Sequence, residues 1–303
     1  MRLVTFAQEN ELRLGILLEK NVYGLNDASE LLFGKGNVFP EDMISLLEGG
    51  DASLQRLGRL QEAIGKHKDD LRKRGLAKSE RSIQLSAPIH RPRKNIVCLG
   101  VNYAEHAHET KHEPPKLPIF FTKPPTSVIG PYDPIILPKS SSQIDYEAEL
   151  VFAIGKKGKN IAKEESWDYV AGYMVMNDVT ARDLQRNHQQ WYKGKGLDTF
   201  APMGPHLVTK EEIPDPGNLR IVSYLNGKIM QDSNTRNMIF DIPSIISSLS
   251  TDMTLEVGDI VATGTPSGIG HTRNPPVYLK PNDIVEVMVE QIGTIRNLVS
   301  AQI

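Results

Sequence analysis

Residues 144–154 read IDYEAELVFAI, a stretch with the look of a buried strand, yet two glutamates stand in it one residue apart. Successive strand side chains point to opposite faces, so Glu147, Glu149, Val151 and Ala153 share one face. Tyr146, Ala148, Leu150 and Phe152 share the other. That spacing sets the two carboxylates roughly 7 Å apart on one side of a largely apolar strand. Burying two unpaired like charges costs several kcal/mol or forces protonation. Water, arginines or a cation must offset it.

Outward from this strand, short apolar segments recur: IVCLG, PIFFT, DPIILP, GYMVMND, LRIVSYL, GDIVATG and DIVEVMV, separated by Gly, Pro, Asn and Asp. The Asn-Gly of NGK, residues 226–228, marks a hairpin between LRIVSYL and IMQDS. Short helices are expected near 103–109, 179–187 and 242–250. Many short strands with few helices predict a β-rich α+β fold, a sandwich or roll, in place of a βαβ array. No GxGxxG follows a strand and no GxxxxGK[ST] is present, so nucleotide binding has no support.

The first 90 residues differ in texture. Strands LVTFA and LRLGILL flank the charged turn QENE, and helical patterns follow at about 41–48 and 51–74. The second carries Leu54, Leu57, Leu60 and Ile64 at helical spacing. Pro88 and Pro92 then bracket an extended linker. We expect a small N-terminal α/β domain over 1–90 and a larger domain over 91–303.

Composition narrows the function classes. The 303 residues are 39% hydrophobic and 24% charged, ordinary for a globular chain, and the net charge of −2 points to neither nucleic acid nor an anionic membrane. The single cysteine, Cys98, excludes an internal disulfide, suits a reducing cytoplasm, and in IVCLG reads as a small buried hydrophobe. No apolar stretch approaches the roughly 20 residues needed to cross a bilayer. The N-terminus lacks the apolar core of a signal peptide, so a cytoplasmic protein is expected.

Three further segments could carry chemistry. Asp178, which ends GYMVMND, could join Glu147 and Glu149 around a hard divalent cation, or could cap the helix that follows. VNYAEHAHETKHEPP, residues 101–115, holds three histidines and three glutamates. On a helical turn His106 and Glu109 lie at i and i+3, the arrangement of a carboxylate-held general base. His108 and His112 permit a zinc-like pair without a clear third ligand. Polar and bounded by Pro114 and Pro115, the segment suits a mobile lid. Lys195 stands between Gly194 and Gly196, which allow close backbone approach, and could neutralise an enolate or carboxylate. GDIVATGTPSGIG runs from a strand into a Gly-rich loop whose amides, Thr265 and Ser267 could cradle a small anion.

In order, NYAEHAHE, DYEAEL, NDVTARDLQ, KGLDTFAPMGP, NGKIMQD, MIFDIPSIISSLS and LEVGDIVATGTPSGIG resemble the fumarylacetoacetate hydrolase superfamily over about 94–295. The resemblance implies a mixed β-sandwich roll, usually homodimeric. It makes Glu147, Glu149 and Asp178 the ligands of Mg²⁺ or Mn²⁺. It makes His106 and Glu109 a lid pair that activates water, and Lys195 a lysine beside the metal. Arg182 and Gln185 would meet substrate oxygens, and Thr265 a carboxylate. Val101 and Thr110 depart from the residues frequent there. The implied activity is cleavage of a C–C bond in a small 2-oxo acid through an enolate, by acylpyruvate hydrolysis or oxaloacetate decarboxylation. Alternatives are an isomerase or decarboxylase of hydroxymuconate-like dioic acids, a fumarylpyruvate or maleylpyruvate hydrolase, or a metal-binding module without activity.

Overall fold

The computed structural model describes residues 1–9 and 11–302. Strand Ala148–Ile154 is buried at every position and runs through the middle of a long mixed sheet. On one side it pairs with Val170–Asn177, and the sheet continues through Ala201–Thr209, Arg2–Gln8, Glu11–Leu18 and Asn21–Gly24. On the other side lies Ile260–Ala262, parallel to Ile96–Gly100, with Ile119–Lys123 beyond. A second, five-stranded sheet contains Arg220–Leu225, Ile284–Val289 and Gly293–Ala301.

The alternation along Ala148–Ile154 decides what packs where. Leu150 and Phe152 meet Ile221, Val287 and Ile295 of the second sheet, together with Ile245 and Leu249 of helix Ile242–Ser250. Val151 and Ala153 face the opposite core, with Met174, Met176, and Leu57, Leu60 and Ile64 of helix Gly50–Lys66. Both faces are covered, so the strand reads as a nearly continuous apolar run. Each fully buried aliphatic side chain contributes about 1.5–3 kcal/mol. The architecture is the expected strand-rich α+β sandwich.

Several elements match the sequence reading and others depart from it. Asn226 and Gly227 make the hairpin turn with φ of 53° and 79°, the left-handed pair that Asn-Gly tolerates. The helix expected over 51–74 is two helices, Gly50–Lys66 and Lys68–Lys73, broken at His67 (φ −118°) beside the poor helix former Gly65. Helix Leu25–Phe33 was not expected because Asn26, Asp27 and Ser29 read as turn chemistry. Strand Ala201–Thr209 was missed because Pro202 and Pro205 argue against a central strand, and a register shift in its neighbour between Tyr173 and Val175 accommodates it. Asn10 of the expected turn QENE lies outside the described residues.

Candidate metal centre and active site

The two central strands bring the acidic residues to one end of the sheet. Register Ala148↔Asn177 places Asp178 beside Glu147, and the Asp178 amide donates to the Glu147 carbonyl at 2.9 Å. Asn177 Oδ1 in turn accepts the Glu147 amide at 2.9 Å. Glu149 stands two residues on, on the same face. Glu147, Glu149 and Asp178 are all buried, and one ligand oxygen from each lies within 4.8 Å of the others. Asp178 does not cap the following helix, which begins at Arg182 after Ala181. Its carboxylate is turned into the cluster.

Three buried cations surround these carboxylates. Lys195 Nζ donates to Glu147 Oε2 at 2.7 Å and to Asp178 Oδ2 at 2.6 Å. Arg182 Nη2 donates to Glu147 Oε1 at 2.6 Å, and its Nε to Asp145 Oδ2 at 2.9 Å. Lys123 Nζ donates to Asp178 Oδ1 at 2.6 Å and to the Val179 carbonyl at 3.1 Å. Burial works against ionising Glu147, but the charges of Lys195 and Arg182 outweigh it and hold its pKa far below the carboxylate range. Lys195 is likewise disfavoured by burial, yet Asp178 and Glu147 raise its pKa, so it stays charged.

Glu149 is different. It accepts the Gly264 amide at 2.9 Å, and among the described residues no Lys, Arg or His forms an ion pair with it. Burial, then the charges of Asp178 and Glu147, push its pKa well up. Asp145, Glu147, Glu149 and Asp178 thus outnumber Lys123, Lys195 and Arg182 by one formal charge. An all-oxygen donor set with an uncompensated carboxylate fits a hard divalent cation such as Mg²⁺ or Mn²⁺.

Above the cluster opens a cavity of about 490 Å³. His106, Glu109, Glu147, Arg182, Lys195 and Thr265 line it, as does Gln185, while Glu149 and Asp178 lie beneath. His106 and Glu109 come from helix Ala104–Glu109, with Nδ1 3.4 Å from Glu109 Oε2. The Gly268 amide and Thr272 Oγ1 also donate to Glu109, at 3.0 Å and 2.7 Å. Burial raises the Glu109 pKa, but these bonds outweigh it and keep the carboxylate ionised. Gln185 Oε1 accepts Arg182 Nη1 at 3.2 Å, and Thr265 Oγ1 accepts Gln231 Nε2 at 2.8 Å. A Cβ at Gly194 would stand 2.6 Å from the Gln185 amide nitrogen, so only glycine lets helix Tyr192–Lys195 approach and deliver Lys195.

Sequence reasoning missed Lys123, Asp145, Gln231 and Trp191. Lys123 closes an ordinary apolar strand, and Gln231 sits in a hairpin; neither carries a local signal. Asp145 lay within the opening stretch and could have been weighed with its neighbours. Trp191 lines the cavity and packs edge-on against Phe121 at 5.3 Å. Val101 also lines it and adopts φ +55°, rare for a β-branched residue and a form of strain that clusters at functional sites. His108 and His112 do not pair into a metal site. The helix ends at Glu109, and among the described residues the three carboxylates are the one ligand group found. Cys98 is fully buried in the core, as expected.

The family model for the C-terminal part of fumarylacetoacetate hydrolase matches residues 95–300. The chain is 40% identical over 301 residues to oxaloacetate tautomerase YisK of Bacillus subtilis, covering 98% of this chain and 99% of that one. It is 43% identical to a mitochondrial oxaloacetate tautomerase of Xenopus laevis, covering 98% and 89%. Among solved structures it resembles the fumarylacetoacetate hydrolase of Exiguobacterium antarcticum, with TM-score 0.81, 33% identity and full coverage of both chains. It also resembles a maleylpyruvate hydrolase of Sphingobium solved with manganese(II) and pyruvate, with TM-score 0.75, 29% identity and full coverage of both.

Proposed function

The chain belongs to the fumarylacetoacetate hydrolase family of enzymes, and on that premise we propose that it interconverts the enol and keto forms of oxaloacetate or a closely similar small 2-oxo acid. The observation that carries the reading is the convergence of Glu147, Glu149 and Asp178 beneath one cavity that also receives Lys195, Arg182 and the His106–Glu109 pair. The names of the full-length relatives support the substrate and the reaction.

A divalent cation held by Glu147, Glu149 and Asp178 would polarise the 2-oxo group and lower the free energy of negative charge on its oxygen. The chain's own residues do the rest. Enol–keto exchange moves one proton between C3 and the carbonyl oxygen and breaks no carbon–carbon bond. Glu109 holds His106 at Nδ1, so Nε2 is the ring nitrogen that exchanges a proton with C3. Lys195, kept charged by Glu147 and Asp178, stabilises charge developing on the substrate oxygen. Arg182 and Thr265 bind carboxylate oxygens and Gln185 holds Arg182 in place. Phe121 and Trp191 close one wall with apolar surface and exclude water from the enolate.

A second reading uses the same groups to stabilise the pyruvate enolate left by C–C cleavage of acylpyruvates or decarboxylation of oxaloacetate, which then takes a proton at C3. The His106–Glu109 pair suits the hydrolytic branch as well, because that step needs an activated water. Dioic-acid isomerisation is a third outcome, supported by the 29% identical structure of a 2-hydroxyhepta-2,4-diene-1,7-dioate isomerase from Mycobacterium marinum. The test follows enol absorbance and pyruvate release together, on oxaloacetate and acetylpyruvate with Mn²⁺. Enol decay without pyruvate supports the tautomerase. Pyruvate appearing in step with substrate loss selects cleavage. Inertness toward both substrates overturns the two readings and leaves the isomerase.

A further inference from the structure

The three carboxylates share a feature beyond convergence: each has one oxygen tied from outside the cluster. Arg182 holds Glu147 Oε1 at 2.6 Å, the Gly264 amide holds Glu149 Oε2 at 2.9 Å, and Lys123 holds Asp178 Oδ1 at 2.6 Å. Lys195 donates to the second oxygens of Glu147 and Asp178. Both oxygens of Asp178 are thus engaged, so how it can meet a cation depends on how the plane of its carboxylate is held.

Lys123 stands apart among these tethers. Its side chain is fully buried and does not line the cavity. Its ammonium has three acceptors: Asp178 Oδ1 and the carbonyls of Val179 and Lys195. Rotating away would leave buried donors unsatisfied, so the carboxylate of Asp178 is fixed in orientation. We infer that Lys123 is a positioning residue that limits Asp178 to one ligand oxygen and thereby sets which divalent cation the site accepts. The inference rests on the cation reading above. Ca²⁺ takes about six to eight oxygens and often uses carboxylates through both, whereas Mg²⁺ keeps to about six, one from each carboxylate. Three carboxylates held to one oxygen each suit the smaller ions and leave Ca²⁺ short of ligands.

Calorimetric titration of the wild-type chain and of Lys123→Met with MnCl₂ and, separately, CaCl₂ tests this. Wild type should bind Mn²⁺ at least about 10-fold more tightly than Ca²⁺, and Lys123→Met should shrink that ratio by about 10-fold, even if both affinities fall. Lys123→Gln, which keeps an N–H donor, should restore most of the ratio. A lysine with only a structural role would weaken both ions in proportion, so an unchanged ratio in Lys123→Met overturns the inference. If Lys123→Met fails to fold, the wild-type titration decides: Ca²⁺ bound as tightly as Mn²⁺ also overturns it. Binding of neither ion overturns the cation reading itself.

Discussion

At the scale of single residues, Glu149 is the side chain on which the site turns. It is buried, ionisable, and neighboured by two carboxylates that oppose its charge. Glu149→Gln removes that charge and keeps an acceptor for the Gly264 amide. The expected outcome in differential scanning fluorimetry is a melting temperature in EDTA equal to or above wild type, with the rise caused by Mn²⁺ abolished. A large loss of stability in EDTA would mean that the glutamate is structural. Lys195→Met should behave oppositely, leaving Glu147 and Asp178 facing each other and costing about 3–5 kcal/mol in urea denaturation. Glu147, Glu149 and Asp178 were legible because strand alternation and a strand end are local patterns. Lys123 was not, since its partner Asp178 is 55 residues away and only the fold joins them.

At the scale of elements, two helices flank the central strands. Helix Gly50–Lys66 packs into the core that also holds Val151 and Ala153 of the central strand, and its Leu60 is wholly buried there. Leu60→Ala should destabilise the protein by about 2–5 kcal/mol in urea denaturation. Helix Ala104–Glu109 is pinned at its far end by Glu109 to Gly268 and Thr272, and Ser233 donates to its Glu105. Glu109→Ala should raise amide exchange across 104–110 while exchange in the central strands stays unchanged. Equal protection in both proteins would show that the anchor is elsewhere. The hairpin at Asn226–Gly227 could be read directly, because its dihedral demand is met by two adjacent residues. Strand Ala201–Thr209 could not, because its tolerance of two prolines depends on a register shift in its partner.

At the scale of the molecule, a buried histidine links the first strand to the rest. His206 Nε2 lies 2.9 Å from Arg2 Nη1 and also meets the Ile292 carbonyl. Burial, then the charge of Arg2, lowers its pKa from 6.5 to about 4. Between those values the unfolded chain binds more protons, so folding stability falls as pH drops from about 6.5 through about 4, by up to about 3 kcal/mol. His206→Gln should flatten the melting temperature over that window; an unchanged slope would assign the acid sensitivity to other groups. The family match begins at residue 95, which supports the proposal that residues 1–90 form the smaller unit, joined through Arg2 and Leu3 to Val208 and Leu207. The rate of oxaloacetate enol decay, followed in Mn²⁺, in EDTA, and with Glu149→Gln in Mn²⁺, decides whether a cation on the three carboxylates drives the reaction. Acceleration by wild type that EDTA and Glu149→Gln both abolish is the predicted result. Equal acceleration by all three would contradict a cation held by Glu147, Glu149 and Asp178 as the source of the chemistry.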